Sequence, residues 1–98
     1  MTKGNKNSAT ATVDALCTVI KGLQSKAKVR RFLEDLCTPK ELEALAERWR
    51  VAKLIDKGMP YREIYEKTGV STATVTRVAR AMEHGSGGYR LLLDEEQK

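Results

Sequence analysis

Residues 60–82, PYREIYEKTGVSTATVTRVARAM, constrain the fold more than any other stretch of the chain. Two short segments of helical character flank a Gly-Val-Ser break, and the second is basic and rich in hydroxyls. Ile64 and Val70 sit on either side of the break, and Val75 and Val78 follow at a three-residue step. Four apolar side chains at this spacing can meet in one small wedge between two helices. Gly69 stands where the chain must reverse within three residues, which calls for a left-handed backbone. Ser71 is placed to cap the second helix by accepting a bond from a free backbone N–H. This is the pattern of a helix-turn-helix, which seats its second helix in the major groove of DNA. The exposed face of that helix would carry Thr72, Thr74, Thr76, Arg77 and Arg80, donors suited to phosphates and base edges. The competing reading is an ordinary helical hairpin with a solvated polar face. One departure from the usual pattern is Tyr65, which occupies a position packed against the turn where a small residue is common.

No segment alternates in the two-residue period of a strand, whereas helical spacing recurs along the whole chain. Val13, Leu16, Cys17, Ile20 and Leu23 predict a first helix that ends between Gly22 and Ser25, and Val29, Phe32, Leu33, Leu36 and Cys37 a second. Lys21, Lys26, Lys28, Arg30 and Arg31 fall within eleven residues that contain no acid. Such a run is either a phosphate-facing surface or a solvated helix face. Thr38-Pro39-Lys40-Glu41 reads as a helix start, with Thr38 as cap, Pro39 in the first turn and Glu41 closing a capping box. The third helix is expected to run to about Lys57, with Gly58 as its stop and an apolar stripe of Leu42, Leu45, Ala46, Trp49, Ala52 and Ile55. Trp49 is expected in the core. After Met82, three glycines in six residues form a hinge, and a last helix from Tyr89 to about Glu96 offers Tyr89, Leu92 and Leu93 for docking on another helix, from this chain or a second subunit.

The expected architecture is therefore all-α, with about six short helices. Residues 1–8 read as a flexible polar tail, and 9–98 as a single helical DNA-binding domain with its helix-turn-helix at about 60–82. A 98-residue chain with 41% hydrophobic content supports only a small core, and a core this thin leans on a partner subunit. The net charge of +5 favours a polyanionic partner. Cys17 and Cys37 fall at apolar helical positions with no Cys-x-x-Cys or Cys/His cluster, which argues for buried free thiols and against a metal site. No apolar run approaches the ~20 residues of a membrane span, and the N-terminus lacks the apolar stretch of a secretory signal. The expected location is the cytoplasm, in association with the nucleoid. His84, the one histidine, lies beside the glycine hinge, and no catalytic constellation surrounds it. An enzyme is not expected.

From Leu36 to Arg77 the chain resembles the Trp repressor superfamily, most closely its YerC/YecD-type branch. Thr38-Pro39, Glu41, Ala44-Leu45, Arg48, Arg50, Gly58, Arg62-Glu63, Gly69 and Ala73-Thr74-Val75-Thr76-Arg77 carry the resemblance. It implies an intertwined homodimer whose two recognition helices read half-sites about one DNA turn apart. It also implies that Arg62 reaches a base edge and that Thr72, Ala73 and Thr76 lie on the DNA face, beside which the candidate DNA-binding residues read from the helix-turn-helix itself are Ser71, Thr74, Arg77 and Arg80. The tryptophan pocket of the family carries over only in part. Thr38, Arg48 and Arg77 match pocket positions, but Val78 replaces a glycine beside the ring and Ala81 a serine near the ligand's charged end. Tryptophan is therefore not expected as a cofactor, no other cofactor is implied, and a different small effector is left open. The expected function is that of a sequence-specific transcriptional regulator, a repressor, whose partners are double-stranded DNA and a second copy of itself. Two alternatives are a DNA-end-binding module related to transposase helix-turn-helix domains and a protein-interaction adaptor. The absence of acids from Val70 through Met82 favours DNA.

Overall fold

The structure, a computed structural model, describes residues 6–97. Its elements, in order, are α1 (Lys6–Lys21), α2 (Lys26–Leu36), α3 (Pro39–Asp56), α4 (Tyr61–Thr68), α5 (Thr72–His84) and α6 (Gly88–Glu96). Among the described residues there is no strand. The all-α architecture of six short helices is as the periodicity predicts. α1 begins at Lys6, so residues 6–8, assigned to the polar tail, are helical; the rest of that tail lies outside the described residues.

The chain divides into two compact units, one ending at Pro39 and one from Lys40. They differ in where side chains are buried. In the first unit, α1 is exposed along its described length and α2 has no buried residue. Val13 is 60% exposed, and Leu16, Val19, Ile20 and Leu36 are also open to solvent. Cys17 is exposed and Cys37 half-buried, a correction to the expectation of buried thiols. Cys17 rides on the uncovered α1, and Cys37 caps the end of α2 rather than lying within it. Ser25 starts α2, its Oγ accepting the N–H of Lys28 at 3.1 Å.

The second unit holds the core. Val51, Ala52, Ile64, Val70, Val75 and Val78 form one buried cluster, with Trp49, Leu54, Ile55, Met59, Met82 and Tyr89 packed against it. The expected stripe of α3 is only partly used. Ala52 is fully buried, but Leu45 and Ala46 are exposed, and the other fully buried side chain is Val51, which lies off the stripe. The covered face of α3 is set by α4, α5 and α6 around its C-terminal half, not by its own period. Trp49 is half-buried rather than central, and its ring stacks on Tyr89 at 6.5 Å between centroids and 5° between planes.

The last helix docks on its own chain. Leu93 is 3% exposed, while Leu91 and Leu92 stay open. Asp56, at the end of α3, fixes both ends of α6, accepting from Arg90 Nη2 at 2.8 Å and Gln97 Nε2 at 2.7 Å. Lys53 and Glu96 add an ion pair at 3.2 Å. The hydrogen bond to Asp56 also holds the Arg90 guanidinium above its ordinary pKa.

Candidate nucleic-acid interface

The helix-turn-helix is built from local chemistry. α4 ends in Gly69, whose backbone is left-handed at φ 78°, and its N–H returns to Tyr65 O at 2.8 Å. A side chain at this φ is strained even though the space around it is open. Thr68 staples the turn. Its hydroxyl donates to Ile64 O at 2.7 Å and accepts the Val70 N–H at 3.0 Å. Thr68 is not among the residues singled out from sequence. Its signal is a hydroxyl residue directly before the C′ glycine, where it can satisfy backbone groups that the helix end leaves open. Ser71 caps α5 as expected, its Oγ accepting the Thr74 N–H at 3.2 Å. It also donates to Thr74 Oγ1 at 3.1 Å.

The four apolar residues chosen from spacing, Ile64, Val70, Val75 and Val78, do meet in the core, and they fix which face of α5 is turned outward. Thr72, Ala73, Thr76, Arg77 and Arg80 are exposed on it. Ser71 is exposed beside them, while Thr74 is half-buried and held by Ser71. Arg62 is exposed on the first turn of α4. Tyr65, the residue that departs from the common pattern, is half exposed and so crowds nothing at the turn. The far end of α5 is fixed by Gly85, whose N–H bonds to Ala81 O at 2.9 Å. A Cβ there would collide with that same carbonyl.

Of the three residues matched to a ligand pocket, Thr38 is exposed in the first unit. In the second unit Arg48 is half-buried on α3 and Arg77 exposed on α5. Neither arginine is in an ion pair among the described residues. Val78, at 1% exposure, fills the wedge between α4 and α5. Ala81 lines an apolar groove of about 380 Å³ with Trp49, Gly85, Ser86, Gly88, Tyr89 and Leu92. No group of acids, cysteines and histidine suited to a metal ion occurs among the described residues, and no helix there is long and apolar enough to cross a membrane.

This geometry defines a helix-turn-helix protein, with a capped second helix that turns hydroxyls and guanidinium groups to solvent. Comparison with known proteins identifies its kind. The profile of the Trp repressor protein family matches residues 11–97. YerC of Bacillus subtilis, an uncharacterised protein, is 39% identical over 82 residues, 84% of this chain and 79% of YerC. A Trp operon repressor homologue of Actinobacillus succinogenes is 43% identical over 53 residues, 53% of this chain and 52% of that protein. The crystal structure of a TrpR-like protein from Eubacterium eligens superposes with a TM-score of 0.85 at 35% identity, covering 95% of this chain and 96% of that one. The chain belongs to the Trp repressor family. It is, in the general sense of that family, a DNA-binding regulator.

Proposed function

We propose that this protein is a homodimeric, sequence-specific transcriptional repressor that seats α5 in the major groove of its operator. The observation that carries the reading is the outward face of α5. It bears Thr72, Ala73, Thr76, Arg77 and Arg80 on a helix whose other face is locked by Val75 and Val78. Arg77 and Arg80 can grip phosphates or guanine edges, threonine hydroxyls can reach either, and the small Ala73 lets the helix approach closely. Arg62, from α4, adds a second route to a base edge. An adaptor surface would instead present large apolar anchors here. A bound dimer blocks a promoter by occupancy alone, so repression needs no further surface. The dimer itself is supported by the uncovered apolar face of α1 and by Leu36 at the end of α2, which a lone chain leaves in water.

Tryptophan is not the corepressor in this reading. The Val78 side chain occupies the helix-turn-helix core at the position matched to a ring-facing glycine, and Ala81 offers no hydroxyl for the ligand's charged end. Titration with millimolar tryptophan should therefore release no heat and leave DNA affinity unchanged. Micromolar binding with tighter DNA association would restore the corepressor model. The DNA reading is tested by measuring binding of a selected duplex against increasing salt, where log K should fall steeply and linearly with log salt as counterions are released.

A further inference from the structure

We propose that the first two turns of α2, together with Lys21, form a second contact with the DNA backbone, separate from the helix-turn-helix; the proposal rests on the reading of the protein as a DNA binder. Lys21, Lys26, Lys28, Arg30 and Arg31 are all exposed. One of them, Arg30, is neutralised locally by Glu34 at 3.0 Å.

The placement of charge along α2 runs against the helix dipole. Ser25 caps the helix, so Lys26 and Lys28 stand in the first turn, where partial positive charge already accumulates. The acids, Glu34 and Asp35, stand near the opposite end, where they meet partial negative charge. The first turn holds no acid and the last turn no base. Helices are stabilised by the reverse order, so this arrangement costs the free protein stability. A DNA backbone that approaches the start of the helix removes the penalty, because its phosphates meet the positive helix end and the flexible lysines on either side of the first turn together.

The apolar side of α2 argues against a membrane as that anion. Val29, Phe32 and Leu33 are already half-buried within the chain, which leaves Leu36 as the one large apolar residue open on an eleven-residue helix, together with the small Ala27. Interfacial helices need a wide uncovered apolar face to enter a bilayer. A polyanion bound by charge alone requires none.

The test replaces Lys21, Lys26, Lys28 and Arg31 by Gln in the full-length protein and follows binding to a selected duplex and to a random duplex by fluorescence anisotropy across salt. The slope of log K against log salt should flatten by about 0.9 for each phosphate that is no longer neutralised. Both duplexes should weaken by the same factor, since phosphate contacts carry no sequence information. The melting temperature should stay at or above the wild-type value, which separates this weakening from misfolding. Glu34→Gln should do the opposite, freeing Arg30 to steepen the slope and tighten both complexes. A folded quadruple variant with wild-type slope and affinity overturns the proposal while leaving the helix-turn-helix reading intact. Wild-type protein that binds no duplex removes both. If the quadruple variant keeps its DNA slope but no longer attaches to phosphatidylserine-phosphatidylcholine vesicles, the surface serves a membrane and the proposal is wrong.

Discussion

Gly69 carries the backbone conformation on which the reading head depends, at φ 78° with its N–H returned to Tyr65 O. Nothing lies within 4 Å of a Cβ built there, so a substitution is penalised by the backbone alone. Gly69→Val should lower stability by about 1–3 kcal/mol and weaken DNA binding with it. Thermal unfolding checks this, and an unchanged melting temperature would mean that the turn tolerates a branched residue in the left-handed region. Arg62 lies outside the core, so its truncation separates recognition from folding. Arg62→Ala should keep the melting temperature and relax sequence preference, at about 1–3 kcal/mol if it reads a guanine. Competition between selected and random duplexes checks it, and equal discrimination by variant and wild type would remove Arg62 from base readout. Gly69, Ser71 and the four apolar wedge residues were legible in the sequence because each acts within a few positions of its own backbone. Thr68 acts just as locally, yet its hydroxyl bonds inward to backbone groups, a role that its residue type does not distinguish from that of the outward threonines of α5. The exposure of Cys17 is not legible for a different reason. Its helical period names an apolar face, but period alone does not say what covers that face.

The pair α4–α5 was the most legible element, since one short wedge decides its packing. Ile64 is fully buried at the centre of that wedge. Ile64→Ala should destabilise the protein by about 2–5 kcal/mol through forfeited transfer energy and the cavity left behind. Denaturant unfolding checks it, and a change below about 1 kcal/mol would mean that the site collapses around the deletion. α3 was less legible. Its apolar residues surround the helix, so Val51 and the stripe compete for the interior, and the winner is set by three later helices. α6 was legible as a helix but not in its docking, because its partner Asp56 lies 34 positions from Arg90 and 41 from Gln97. Asp56→Ala removes the acceptor for both. It should speed amide exchange in α6 well beyond the change in α4. Equal protection in the two helices would show that Leu93, the Tyr89–Trp49 stack and the Lys53–Glu96 pair hold the last helix without Asp56.

At the scale of the molecule, the buried side chains among the described residues all belong to the second unit, while α1 and α2 keep Val13, Leu16, Val19, Ile20 and Leu36 in solvent. The division into two units was not legible, because helical spacing reveals apolar faces without revealing which of them one chain can cover. A second copy is the proposed cover. Light scattering should then return about twice the 10.9 kDa chain mass, and a stable monomer at micromolar concentration would contradict the dimer. The proposed dimer symmetry and the outward face of α5 make one joint prediction about the DNA sequence bound. Two copies of one recognition helix, related by a two-fold axis, should read a palindrome with half-sites about 10 base pairs apart or a multiple of that. Selection of bound duplexes from a random pool, followed by sequencing, tests this most directly. The account predicts one enriched palindromic motif whose enrichment falls when Arg77 and Arg80 are replaced by Ala. A pool with no enriched motif, or a motif retained by that double variant, would contradict it.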